Sequence, residues 1–197
     1  MSECKRSATY GIQCGKGVEA AVVTALVRYT LRAVTVRLPR PTEALRALND
    51  VLLKHPTGRF CTVALLRLSR DGDGWTLAMS LGGHPQPLLL RFGVAEPSNL
   101  GTAGSLVGVL DEPDFTQTRI RLAPGDSVVV YTDGVTEGRL GRELYGEHRL
   151  RATAARHARS PELIPQAVLA DVLDFQGGTA RDDIAVVSVG VPPGVGE

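Results

Sequence analysis

The stretch from Phe60 to Leu81, FCTVALLRLSRDGDGWTLAMSL, constrains the fold more than any other part of the chain. FCTVALLRLS and WTLAMSL have the composition and period of β-strands, and the RDGDG between them carries Asp-Gly pairs that take up the positive φ of a tight hairpin. Strands joined this closely run antiparallel, because a parallel pair needs a long crossover. Further short strands are expected at PLLLRF, TQTRIRL and SVVVYT, with Pro124-Gly125-Asp126 turning between the last two, and at DIAVVSVGV near the C-terminus.

Around this β-rich middle the period changes to that of helices. Val18 to Val34 carries apolar residues on nearly every helical face, which predicts a helix buried against a sheet. A second helix is expected after the breakers Pro39 and Pro41, with Leu45, Leu48, Leu52 and Leu53 at helical spacing and Glu43 placed well near its N-terminus. Two more are expected at 146–159 and 161–175, the latter with Ser160 as N-cap and Pro161 in its first position. Helices, then strands, then helices, then a strand is the order of an α+β fold with mostly antiparallel sheets.

The chain has 197 residues, 43% hydrophobic and 22% charged, which suits one globular domain with a sizeable core. Lys plus Arg, at 22, nearly balances Asp plus Glu, at 21, so no net field holds nucleic acid or an anionic membrane. The basic residues are scattered among few aromatics, so stacking platforms for bases are not indicated. The opening MSECKRSATYG lacks the apolar core of a secretory signal, and no apolar run approaches the roughly 20 residues of a membrane span, so a cytoplasmic location is expected. Cys4, Cys14 and Cys61 show neither C-x-x-C nor zinc-type spacing and read as ordinary reduced thiols.

YGIQCGKGVEAA, from Tyr10 to Ala21, has the glycines and lysine of a phosphate-binding loop, but the spacing is short and no hydroxyl follows Lys16. It reads as a loop whose glycines let it turn tightly into the first helix. His84, in GGHPQP, reads as a hydrogen-bonded turn residue and takes no catalytic role. VVVYTDGVTEGR places Asp133 at the end of a buried strand, and TARDDIAVVSV places Asp182 and Asp183 just before another. Two accounts stay open. Either each is a separate turn, or, with the two strands side by side, Asp133 and Asp182 converge on one rim, where repelling carboxylates call for a hard divalent cation.

Taken in order, CGKGVEAAVVTALVRYTLRA, RFCTVALLRL, GGHPQPLLL, LAPGDSVVVYTDGVTEGR and RDDIAVVSV resemble the type 2C metal-dependent protein phosphatases (the PPM family), in their bacterial SpoIIE/RsbU-like branch. The resemblance implies two antiparallel sheets in a sandwich flanked by helices, with two manganese or magnesium ions at one end. It implies hydrolysis of phosphoserine or phosphothreonine on a regulatory protein, such as an anti-sigma-factor antagonist, by water that the ions activate, with no side chain as nucleophile. Asp133 and Asp182 fall on metal-binding positions; Asp183 and Gly134 fall beside them.

The departures are as specific. Where the branch usually has a metal-binding Asp, this chain has Ile12, leaving only the Gln13 backbone carbonyl to contribute there. A preceding hairpin with a further Asp is missing, so the fold is expected to lack its first strands and to leave a sheet edge that favours self-association. Two carboxylates offset only half the charge of two divalent ions, so reduced metal affinity is expected. A pseudophosphatase that binds a phosphoprotein without turnover, or a truncated product of a longer gene, is the alternative reading. The phosphatase domain is expected over 1–192, incomplete at its N-terminus, with 193–197 a flexible tail.

Overall fold

The computed structural model describes residues 7–13, 18–55, 60–71, 74–180 and 182–192, with side chains from residue 21 onward. In chain order the elements are β1 (Ser7–Gln13), α1 (Val18–Val34), α2 (Pro41–Leu53), β2 (Thr62–Asp71), β3 (Gly74–Gly82), β4 (Leu88–Leu90), β5 (Ser98–Asn99), β6 (Gln117–Leu122), β7 (Ser127–Tyr131), α3 (Asp133–Thr136), β8 (Arg139–Leu140), β9 (Glu143–Leu144), α4 (Gly146–Arg156), a 3-10 turn (Pro161–Leu163), α5 (Ile164–Phe175) and β10 (Val186–Gly190). The chain forms two compact units, Met1–Gln86 with Gly101–Arg121, and Pro87–Leu100 with Leu122–Glu197. Each is built on a four-stranded sheet, ordered β1-β2-β3-β6 in the first and β10-β7-β4-β5 in the second. The pairings β1·β2, β2·β3, β4·β5, β4·β7 and β7·β10 are antiparallel, as the expected α+β class requires.

In the first unit the hairpin read from the sequence forms the centre, running in register from Ala64 opposite Leu81 to Asp71 opposite Gly74. Against its outer side lies β1, paired from Ser7 opposite Arg67 to Gln13 opposite Thr62, with a bulge between Tyr10 and Ile12. The reading of Tyr10–Ala21 as a loop leading into the first helix is therefore corrected at Tyr10–Gln13, which belongs to β1. The ladder accommodates Gly11 by a bulge instead of ending there. Residues 14–17, and with them Cys14, lie outside the described residues, as does Cys4.

Helix α1 has the predicted bounds but not the predicted burial. Val23, Val27 and Leu31 form one buried stripe, while Val22 is 49% and Tyr29 69% exposed. Residues four apart share a face, and only that face meets Ala44, Leu45, Leu48 and Leu52 of α2 with Cys61, Val63 and Leu65 near β2. Cys61 is buried. Within the same core Asn49 is fully buried, and it is satisfied by donating to the Leu110 carbonyl at 2.9 Å and accepting from the Gly108 N–H at 2.8 Å.

The second unit has its own core. Leu88, Leu90, Val129 and Tyr131 of the sheet pack with Tyr145, Leu150 and Ala154 of the α4 region and with Ile164, Val168 and Val172 of α5. Here the structure corrects the expected N-cap at Ser160. Residues Pro161–Leu163 form a 3-10 turn, α5 begins only at Ile164, and Ser160 makes no side-chain cap; its carbonyl accepts the Leu163 N–H at 2.9 Å. A second proline, Pro165, serves the first turn of the α-helix itself.

Two polar clusters tie this unit together. At the β6–β7 turn, where Gly125 has φ +85°, the buried Asp126 accepts from Arg91 Nη1 at 2.5 Å and from the N–H groups of Phe92 and Ala123, each at 2.9 Å. Between α4 and α5, Asp171 accepts from the Tyr145 hydroxyl at 2.6 Å and the Thr153 hydroxyl at 2.5 Å, with Arg156 at 3.7 Å. Burial opposes ionisation of Asp171, yet the Thr153 and Tyr145 hydrogen bonds and the Arg156 and Arg149 charges outweigh it, and its pKa lies below the ordinary carboxylate value.

Replacing Asp126 by Ala removes a partner from Arg91 and from two N–H groups, and urea unfolding is expected to show a loss of about 3 kcal/mol. Because the Asp171 pKa is lowered on folding, its contribution to stability is present above the unfolded value of about 3.9 and disappears as pH falls through the lower folded value. The stability gap between the parent and Asp171→Asn, measured by urea titration, is therefore expected to be widest near neutrality and to close as pH falls below the ordinary carboxylate range.

Candidate functional site

Every residue of β7, Ser127 to Tyr131, is buried, as a strand covered on both faces demands. The chain leaves it through Thr132 in extended conformation and turns at once into α3, so Asp133 opens a helical turn. Asp133-Gly134 thus begins a short helix, where a plain turn was one of the two accounts open from the sequence. The Val135 N–H bonds the Thr132 carbonyl at 3.0 Å, and the Glu137 N–H bonds the Asp133 carbonyl at 2.8 Å.

The strand beside β7 is β10, in register with Val186 opposite Tyr131. The adjacency on which convergence of the two acidic segments depends is thus present. Extending the register by one residue sets Ala185 opposite Thr132, and the Thr132 N–H donates to the Ala185 carbonyl at 3.0 Å. Asp182 and Asp183 then lie against the start of α3. A Cβ on Gly134 would stand 2.4 Å from the Asp183 carbonyl oxygen and 3.5 Å from the Asp182 Cβ. Only a residue without a side chain lets the two segments meet so closely, which accounts for Gly134 beside the candidate ligands.

The polar groups at this rim are unevenly satisfied. Asp182 Oδ1 accepts the Asp183 N–H at 2.8 Å. Asp133 Oδ1 is buried and has no hydrogen-bond partner among the described residues. A buried carboxylate oxygen without a donor is costly, and a cation is a common remedy. The donors are carboxylate oxygens, which suit a hard divalent ion such as manganese or magnesium. Their number is small, since among the described residues no group of three or more His, Cys, Asp or Glu is placed to hold a metal. The pair fits one such ion and falls short of the carboxylates that two would call for.

The remaining residues singled out from the sequence lie in the first unit. Ile12 and Gln13 are the last residues of β1, opposite Val63 and Thr62 and just beyond the bulge. His84 is buried, with its ring Nδ1 3.0 Å from the Pro85 carbonyl, the hydrogen-bonded turn residue that its context predicts. Sequence reasoning missed Thr132, whose hydroxyl donates to the Asp183 carbonyl at 3.0 Å and accepts the Ala185 N–H at 2.9 Å. No local pattern marks this hydroxyl, because its partners lie 51 and 53 residues further along the chain.

The contact at Gly134 gives a direct test. Gly134→Ala must displace the Asp183 carbonyl, and thermal or urea unfolding is expected to show a loss of about 1–3 kcal/mol, the usual cost of overpacking.

The described helices include none long and apolar enough to cross a membrane. The family described as Stage II sporulation protein E (SpoIIE) matches residues 11–192. The phosphoserine phosphatase RsbU of Bacillus subtilis is 24% identical over 179 residues, 88% of this chain and 52% of that protein, so the chain spans about half the length of that relative. Among solved structures, the RsbU and RsbW domains of a Mycobacterium tuberculosis protein align with TM-score 0.75 and 24% identity, over 95% of this chain and 55% of that one. The SiaA PP2C domain of Pseudomonas aeruginosa aligns with TM-score 0.76 and 22% identity, over 94% of this chain and 80% of that one. At these identities the structures establish the fold, and the family match extends over most of the chain. The chain belongs to the SpoIIE family.

Proposed function

We propose that this chain is the catalytic domain of a SpoIIE/RsbU-like phosphatase acting on phosphoserine or phosphothreonine of a regulatory protein, of the anti-sigma-factor-antagonist kind. The observation that carries this reading is the buried Asp133 Oδ1, which has no hydrogen-bond partner among the described residues, beside the Asp182 segment. Asp133 and Asp182 would hold manganese or magnesium. Divalent ions in such a site supply a water nucleophile at neutral pH and offset charge on the phosphoryl oxygens. The chain's own part is to hold the two acidic segments side by side on a rigid rim. The ladder between β7 and β10 and the glycine contact do this without any side chain taking part in bond making. A phosphorylated serine-containing peptide is the natural substrate by analogy with the RsbU relative's name.

One observation favours a second reading, a pseudophosphatase that binds a phosphoprotein without turnover. Isoleucine stands at position 12, where the resemblance expects a carboxylate. Manganese-dependent release of phosphate from a phosphoserine peptide separates the two. The expected result is turnover that Asp133→Ala lowers at least about a hundredfold, in line with loss of a metal ligand's contribution to transition-state charge. No metal-dependent release, together with peptide binding that persists in chelator, would establish the second reading instead.

A further inference from the structure

We propose that Thr132 is a positioning residue for the metal site, its hydroxyl latching the Asp182–Asp183 segment to the strand end that carries Asp133. The proposal rests on the metal reading above. Thr132 occupies the N-cap of α3, where a threonine normally spends its hydroxyl on a free N–H of the first turn. In this chain no such cap forms. The side chain, 6% exposed, is turned across to the neighbouring segment instead, donating to the Asp183 carbonyl at 3.0 Å and accepting from the Ala185 N–H at 2.9 Å. With the Thr132 N–H on the Ala185 carbonyl at 3.0 Å, three hydrogen bonds join one residue to this short stretch.

The consequence reaches both carboxylates. Asp183, held through its carbonyl by the Thr132 hydroxyl, donates its N–H to Asp182 Oδ1 at 2.8 Å, so the latch sets the orientation of the Asp182 carboxylate through one intervening residue. On the other side Asp133 follows Thr132 directly, with its Oδ1 buried and without a hydrogen-bond partner among the described residues. The hydroxyl is thus common to the supports of both acids. Gly134 completes the arrangement by leaving room for the Asp183 carbonyl at the distance the hydroxyl requires. Without the hydroxyl, the Asp183 carbonyl and the Ala185 N–H lose this partner and the segment is free to find other arrangements. Groups that orient metal ligands typically change affinity by about 10–100-fold when removed.

The test is manganese titration by calorimetry on the full chain, comparing the parent with Thr132→Val, Thr132→Ser and Asp133→Asn. Valine keeps the branched shape and loses only the hydrogen bonds, whereas serine keeps the hydroxyl. Thr132→Val is expected to weaken manganese binding by about tenfold or more, with Thr132→Ser close to the parent. Manganese binding that is lost in Asp133→Asn but unchanged in a folded Thr132→Val overturns the latch and leaves the metal site standing. No binding by the parent, or binding indifferent to Asp133→Asn, overturns the metal site and the latch with it. A measurement on the parent needs no variant. Since coupling is reciprocal, manganese is expected to slow exchange of the Ala185 N–H, and unchanged exchange in the bound protein overturns the proposal.

Discussion

The pairing of β7 with β10 is the constraint on which the candidate site depends. Val128, Val129, Val130 and Tyr131 are buried, and the free energy of removing them from water fixes the strand in the middle of its sheet. Once the register sets Val186 opposite Tyr131, the residues leaving one strand and those entering the other must lie side by side. A slip of one residue would break the pairing of Val186 with Tyr131 and carry the two acidic ends out of step with each other. The acids contribute nothing to the choice of this arrangement. Apolar burial makes it, and electrostatic cost is then tolerated at the rim.

That cost is visible as an imbalance between two carboxylate clusters in the same unit. Asp126 is buried, and its charge is met by a guanidinium and two backbone N–H groups. It behaves as a structural acid, self-sufficient once the chain has folded. Asp133 has no comparable set, and its Oδ1 lacks any protein donor among the described residues. The difference between an acid that holds a turn together and one available to a cation lies in what faces it, since both follow or precede glycine at the end of a strand. Donor supply therefore separates structural from functional acids where sequence context does not.

Much of this was legible in the sequence, and what was not had physical causes. The hairpin at 62–82 announced itself because its Asp-Gly pairs and strand periods agree with each other. The acidic ends of β7 and the segment before β10 were legible as candidates, but their meeting depended on a strand pairing that no local pattern encodes. The strand at Ser7–Gln13 was hidden because its glycine sits in a bulge, and a glycine before more glycines reads as a loop. Exposure along α1 was misjudged for a different reason. Composition shows which residues could be buried, and only the partner surface decides which stripe is. Thr132 was the least legible, since its role lies in the direction its hydroxyl takes, and a threonine at that position has an ordinary local use.

The shortage of carboxylates bears on how a member of a phosphatase family could hold its ions. Two carboxylates cannot by themselves neutralise two divalent cations, so substrate phosphate and water oxygens would have to supply the balance. Affinity would then rise when a phosphoryl group is present, because the phosphate is both ligand and counter-charge. Free ions would bind weakly and the ternary assembly more tightly, a coupling that must be equal in both directions. In such a protein the metal and the phosphoprotein select each other. The rigidity of the rim matters more as the number of protein ligands falls, because each remaining oxygen must be held in place before the ion arrives. An arrangement in which the β-ladder, a residue without a side chain and one buried hydroxyl fix the two acids meets that requirement through the backbone, where few charged side chains are left to do so.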